Sequence, residues 1–314
     1  RGQKIADAVG AVSAALHAPT SGKIRALEVR YHPVLARMAD AIVLEPDGAG
    51  EAIDGLEPVG LDVDGIPKER IVTIAKESGL VGLGGAAFPT AVNLTPPTDA
   101  MVDTYLLNGA ECEPYLTADQ KLMEEHAEEI VFGFRALMKG AGVPKGIICV
   151  EDNKPAAIEA MTKASEPYSH LEVAILTTKY PRGGEKQLIQ YVLGREVPPP
   201  PGLPLNVGVI VSNVGTAYAL AQAIRTGLPL VERVVTVTGE GINRPANFRA
   251  LIGTPVSYLV EKAGGFKGVP GKVIMGGPMM GTALKDLNFP ILKGTSGVVV
   301  LTKEQAKVDE VLPC

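Results

Sequence analysis

Tryptophan is absent from this sequence, aromatic residues make up only 4%, and 314 residues hold three cysteines and four histidines. Cys112, Cys149 and Cys314 lie far apart without a Cys-x-x-Cys pair, so neither a disulfide framework nor a complete metal site can be read from them. A reducing compartment is the simpler expectation. Basic charge is not in excess either: 30 Lys+Arg against 35 Asp+Glu give a formal net charge of −5, without the concentrated basic face of a nucleic-acid binder. The longest uncharged stretch, Val197 to Ile224, contains four consecutive prolines from Pro198, then Asn206, Ser212, Asn213 and Thr216. No lipid-facing helix tolerates that set, so the stretch reads as a loop, a buried strand and a helix, with no membrane span. A signal peptide is also missing. The chain opens without Met and stops at Pro313-Cys314, so both ends are expected to be cut from something longer.

What is present suffices for packed cores: 46% hydrophobic residues against 21% charged. The length suggests about two domains and a small third. Glycine (36) and proline (25) are plentiful, which implies many tight turns. Near the start, Ser21-Gly22 leads into the alternating Ile24 to Val29, a hairpin of a small β-domain over residues 1–62. From there to residue 239 strands and helices alternate. Helices are predicted over Pro67–Ser78, Asp119–Lys139, Pro155–Lys163, Glu185–Leu193 and Thr216–Arg225. Strands are predicted at Thr104–Leu107, Gly146–Val150, Leu171–Leu176, Val207–Val211 and Val234–Val237. Repeated βα units call for parallel strands and right-handed crossovers, hence a three-layer α/β domain with ligands at the carboxyl ends of its strands. Residues 240–302 read as a compact α+β module, and 303–314 as a polar tail.

Four segments carry chemistry. The loop from Gly79 to Thr90 has glycines at 82, 84 and 85, which let backbone N–H groups approach an anion; a phosphate is the natural occupant. No strand immediately precedes it, so it is not the dinucleotide fingerprint, and glycine counting alone leaves a plain structural turn open. The turn Asn108-Gly109-Ala110-Glu111-Cys112-Glu113 follows a strand and offers an amide, two carboxylates and a thiol to a polar heterocycle or ribityl chain. The segments Lys179 to Lys186 and Ser212 to Thr216 leave the same predicted sheet edge. Convergence of four loops on one crevice outweighs any single one. His126 and His170 stand alone, and Met275, Met279 and Met280 read as core filler beside a glycine turn.

In GLVGLGGAAFPT, NGAECEPYLTAD, TKYPRGGEKQLI, SNVGTA and KVIMGGPMMG, taken in that order, the sequence resembles the RnfC family of the Rnf electron-transport complex, a ferredoxin:NAD oxidoreductase. More distantly it is similar to the flavoprotein subunit of respiratory complex I. The resemblance covers essentially the whole chain. It implies a Rossmann-like FMN-binding domain, an N-terminal barrel-sandwich hybrid and a C-terminal β-grasp (SLBB-like) module. It also implies non-covalent FMN reduced by NADH, with hydride passing directly between the two cofactors and no catalytic side chain.

By the same resemblance Gly82, Gly84 and Gly85 lie against FMN. Asn108, Glu111, Cys112, Tyr180, Gly183, Glu185, Lys186, Asn213 and Thr216 belong to the cofactor site, and Phe88, Glu113 and Glu185 to the NADH site. Asn93, also assigned to the cofactor site, stands where related flavin sites carry a phosphate-binding Lys, and Ala110 where complex I relatives carry Asp; Lys186 or Lys179 is the expected substitute charge. Cys314 matches the first ligand of a [4Fe–4S] site whose other cysteines this chain lacks, so clusters belong to the full-length protein only. The implied setting is peripheral, on the cytoplasmic side of the inner membrane, with NADH, ferredoxin and other subunits of the complex as partners. A cobalamin-reductase-type flavoprotein, or a non-catalytic scaffold with a decayed flavin site, is the alternative.

Overall fold

The computed structural model describes residues 1–307; Cys314 lies outside the described residues. At the N-terminus β1 (Lys4–Ala6) pairs with β2 (Leu16–His17), and β3 (Gly22–His32) forms a long antiparallel hairpin with β4 (Arg37–Pro46). The hairpin expected from the alternation after Gly22 is there, and it is longer than the alternating stretch.

The central unit opens with α1 (Lys68–Glu77), which buries Ile71, Ile74 and Ala75 on one face and gives way to Gly79 in the left-handed region, φ 61°. A single turn, α2 (Thr90–Asn93), follows the glycine loop. Next come β5 (Thr104–Gly109), α3 (Ala118–Glu125), α4 (Ala127–Ala141), β6 (Lys145–Glu151), α5 (Pro155–Ser165) and β7 (Leu171–Leu176). The unit closes with α6 (Glu185–Leu193), β8 (Val209–Asn213) and α7 (Val214–Thr226). The strands form one parallel sheet in the order β7-β6-β5-β8. Period-two alternation divides its two faces. Leu107, Ile148 and Val150 pack with Ile130, Phe134 and Ala217 of α4 and α7, whereas Leu106, Ile147 and Val209 pack with Leu188 and Ile189 of α6. Three layers result, and the strand order reverses between β5 and β8, where an open α/β sheet leaves a crevice.

Helical spacing predicts one long helix from Asp119 to Lys139, but two form. His126 (φ −136°, ψ 34°) ends α3 by donating its amide to Leu122 and starts α4 by accepting from Ile130, while its ring lies 4.9 Å from that of Tyr218. The spacing of the apolar residues survives the break because both segments face the same core, so periodicity could not reveal it.

The strand at Val234–Val237 forms as β9 (Glu232–Thr238), yet it pairs antiparallel with β10 (Ala246–Leu251) and parallel with β13 (Gly297–Thr302), not with β8. With α8 (Val256–Lys262), β11 (Pro270–Met275) and β12 (Thr282–Ala283) it builds a second, mixed sheet in the order β10-β9-β13-β11-β12. Val235 and Val237 are buried there against Val298 and Val300. An apolar strand of seven residues suits either sheet; only the pairing partners decide. Among the described residues no helix is long and apolar enough to cross a membrane.

Candidate functional site

All four singled-out segments meet at the carboxyl edge of the parallel sheet, beside the reversal between β5 and β8. Asn108, near the end of β5, donates its Nδ2 to the Gly183 carbonyl at 2.8 Å and accepts the Ala110 amide at 3.1 Å. Gly183 in turn packs so closely on Ala110 and the Cys112 sulfur that a side chain there would displace them. On the other side, Gly84 packs on the Asn213 side chain, and the Leu83 amide donates to Thr216 Oγ1 at 2.9 Å. The glycine loop is thereby pressed against the first turn of α7. Gly82 closes the loop by donating to the Phe88 carbonyl at 2.8 Å. No backbone carbonyl of the described residues accepts the amides of Gly84, Gly85 or Ala86. At Gly85 (φ 113°) a side chain would meet nothing within 4 Å, so the loop is open on that side.

Several of the expected site residues are already engaged with the protein. Asn213 caps α7 by accepting the Gly215 amide at 2.8 Å and donates to Asp119 Oδ2 at 2.6 Å. Glu111, at a positive φ of 41°, accepts the amides of Asp119 (2.9 Å) and Gln120 (3.0 Å) at the start of α3. Burial and then the adjacent Asp119 push the Glu111 carboxyl up to about 8, and burial raises Asp119 too. Glu113 accepts the Met279 and Met280 amides at 3.0 and 2.8 Å and so ties the turn to the C-terminal module. Lys186 donates to the carbonyls of Pro198 (3.0 Å) and Gly202 (3.4 Å), which directs its charge to the proline-rich loop. Cys112 is half-buried; burial first, then Glu151 and Glu113, raise its thiol, against a nucleophilic role. Asn93 is half-buried on α2, while Phe88 and Tyr180 remain exposed. Glu185 begins α6, and burial raises its carboxyl.

Met279 (54% exposed) and Met280 (79%) are not core filler; only Met275 of that group is buried. Glycines at 276, 277 and 281 make a tight surface loop after β11, which turns the two neighbouring side chains outward.

Two buried cations beneath the site escape sequence reasoning. Lys154 (4% exposed) donates to Glu151 Oε2 at 2.9 Å, to Asn153 Oδ1 at 3.2 Å and to the Ala110 carbonyl at 3.2 Å, so it supports the turn after β5 from below. Arg233 (6% exposed) reaches from β9 to the Leu83 carbonyl at 3.1 Å and to the Lys293 carbonyl. Lys293 Nζ donates to the carbonyls of Ala15 (2.8 Å) and Gly79 (2.6 Å), and burial lowers it to about 8. A signal for Arg233 exists: in Glu232-Arg233-Val234-Val235-Thr236-Val237 it shares the inward face with Val235 and Val237.

Family models match three stretches of the chain. Residues 75–222 match the Nuo51 FMN-binding domain, 234–283 the SLBB domain and 1–49 the RnfC barrel sandwich hybrid domain. The C subunit of the Na(+)-translocating ferredoxin:NAD(+) oxidoreductase complex of Acetobacterium woodii is 48% identical over 311 residues, 98% of this chain and 69% of that protein. Its counterpart in the proton-translocating complex of Clostridium ljungdahlii is 46% identical over 96% of this chain and 65% of its own length. The corresponding protein of the ion-translocating oxidoreductase complex of Rhodobacter capsulatus is 40% identical over 100% of this chain and 60% of its own length. The chain thus spans between 60% and 69% of the length of these relatives. Among solved structures, an NAD+-reducing [NiFe]-hydrogenase in the H2-reduced state shares the fold, with a TM-score of 0.64 and 21% identity over 82% of this chain and 54% of that one.

Proposed function

The chain belongs to the RnfC family of ion-translocating ferredoxin:NAD(+) oxidoreductase complexes, and from that premise we propose that its crevice binds FMN and exchanges a hydride between FMN and NADH. The observation that carries the reading is the glycine loop itself, held against the first turn of α7 by Thr216 and Asn213, open at Gly85, and with no backbone carbonyl of the described residues accepting the amides of Gly84, Gly85 or Ala86. A phosphate fits such donors, and the positive end of a helix dipole adds to them. Gly183 and Asn108, joined by the hydrogen bond from the Asn108 amide to the Gly183 carbonyl, would lie beside the flat part of the flavin. When bound, FMN supplies the two-electron chemistry; the protein needs no acid or base for the transfer itself.

Each side chain then has a holding task. Thr216 keeps the glycine loop on α7, Asn108 keeps the two turns in register, and Lys154 fixes the Ala110 carbonyl. Phe88 and Tyr180, exposed at the crevice, offer faces on which a nicotinamide or adenine ring stacks. Glu185 at the start of α6 orients the dinucleotide. In the whole protein, [4Fe–4S] clusters held outside this chain would supply the one-electron chemistry toward ferredoxin and partner subunits, with this part peripheral on the cytoplasmic side of the membrane.

The test is optical. Purified chain is expected to turn yellow with FMN, to bind it more tightly than FAD, and to bleach anaerobically on addition of NADH. Failure to bind FMN, or a bound flavin that NADH leaves oxidised, overturns the reading.

A further inference from the structure

A phosphate bound by amides alone carries charge that the protein must offset, and the lysine expected for that purpose is Asn93 here. Of the lysines nearby, neither Lys186 nor Lys154 substitutes for it, and Lys293 directs its ammonium to the Ala15 and Gly79 carbonyls at the far end of the loop, away from Leu83 and Gly84 in sequence. Lys186 turns to Pro198 and Gly202, and Lys154 is neutralised by Glu151 in direct contact. Arg233 differs from both. Its guanidinium is buried, and its acceptors are three uncharged carbonyls: Val234 at 3.4 Å, Leu83 at 3.1 Å, and Lys293. The carboxylate whose field reaches it, Asp119, is not hydrogen-bonded to it; Asp119 Oδ2 takes the Asn213 amide instead. Buried charges are ordinarily paired, because an unpaired one forfeits its hydration without return. Arg233 is thus a buried cation whose contacts do not neutralise it, placed directly behind the loop that faces the proposed phosphate.

We infer that Arg233, contributed by the C-terminal module, supplies the positive charge that holds the phosphate of the flavin mononucleotide in the glycine loop. It acts from behind the loop, through the Leu83 carbonyl. Leu83 C=O and Gly84 N–H belong to one peptide group, so a cation on the oxygen polarises that group and makes the amide a stronger donor on its opposite side. The field of the guanidinium adds directly in this low-dielectric setting. The inference rests on the FMN reading and deepens it, because it makes FMN retention depend on a residue outside the flavin domain. Arg233 is accordingly a positioning residue whose signature is the phosphate, not the ring.

The experiment compares FMN with riboflavin, which lacks only the phosphate, by quenching of flavin fluorescence at low and high salt. Wild type, Arg233→Lys, Arg233→Gln and the double variant Arg233→Gln/Asp119→Asn are compared, with thermal melting to confirm folding. Gln keeps donors for the carbonyls but no charge, and the second substitution of the double variant removes the carboxylate left behind. The expected result is a roughly tenfold loss of FMN affinity in the uncharged variants, the scale of one partly screened charge. Riboflavin affinity stays unchanged, and Arg233→Lys keeps most of the FMN preference. If the uncharged variants retain the wild-type ratio of FMN to riboflavin affinity, or lose both flavins equally, the inference is overturned while FMN binding stands. Wild-type protein that binds neither flavin overturns the proposed function itself.

Discussion

The Glu113 carboxylate accepts the Met280 amide at 2.8 Å and, through its other oxygen, the Met279 amide at 3.0 Å. Two segments 166 and 167 residues apart thus form one joint between the turn after β5 and the glycine loop after β11. Gly277 makes the approach possible, since a Cβ there would land on the Glu113 side chain.

Gly277→Ala and Glu113→Gln should therefore weaken the same contact. Each is expected to lower stability by about 1.5–3 kcal/mol, the range for hydrogen bonds to a charged group. The double variant should cost little more than either single, because both remove one joint. Urea denaturation of all four proteins checks this; additive losses would show that the residues act separately.

Glu111 gives a pH dependence of defined sign. Its carboxyl in the folded protein is pushed up to about 8 from an ordinary value of 4.5, so between those values the folded state holds more proton than the unfolded one. Stability contributed by this group is present at the acid end and falls as pH rises through that window. Asp119, shifted the same way, adds to the trend. Glu111→Gln should flatten the profile, gaining relative to wild type at the alkaline end of the window more than at the acid end. Chemical denaturation at the two ends decides it.

Removing one member of the Lys154–Glu151 pair should be severe. Lys154→Met leaves Glu151, 1% exposed, as an uncompensated buried charge, with an expected loss of about 3–5 kcal/mol. Lys154→Met/Glu151→Leu should recover most of that stability. FMN affinity should stay reduced, because the Ala110 carbonyl has lost its partner. Equilibrium unfolding read beside flavin titration separates the two effects.

Glu185→Gln keeps the shape of the first turn of α6 and removes a charge. Reduction of bound flavin by NADH should slow while FMN stays bound. Stopped-flow bleaching at several NADH concentrations reports it; an unchanged rate constant would remove Glu185 from the dinucleotide site.

How much is legible in the sequence depends on whether the information is local. The glycine loop can be read because backbone freedom is a property of Gly82, Gly84 and Gly85 themselves. The contacts that hold it cannot, since Leu83, Thr216 and Arg233 come together from three distant stretches. Asn108 and Glu111 look ligand-facing from their place after a strand, but the fold engages Asn108 with Gly183 and Glu111 with α3. Lys154 stays inconspicuous because an isolated charged residue in a sequence looks the same whether water or protein surrounds it, and for Arg233 the alternation of β9 points inward without saying what it meets there.

The sequence by itself determined the succession of βα units, the parallel sheet, the glycine loop and the chemistry available at each turn, because periodicity and residue type act within a few residues of chain. Tertiary structure alone decided that β9 joins the second sheet, that His126 divides a helix, that Met279 and Met280 face outward, and that two cations lie beneath the crevice. Those outcomes depend on which distant backbone supplies a strand's hydrogen bonds and which distant carbonyl accepts from a buried charge, and such partners are chosen by packing in three dimensions.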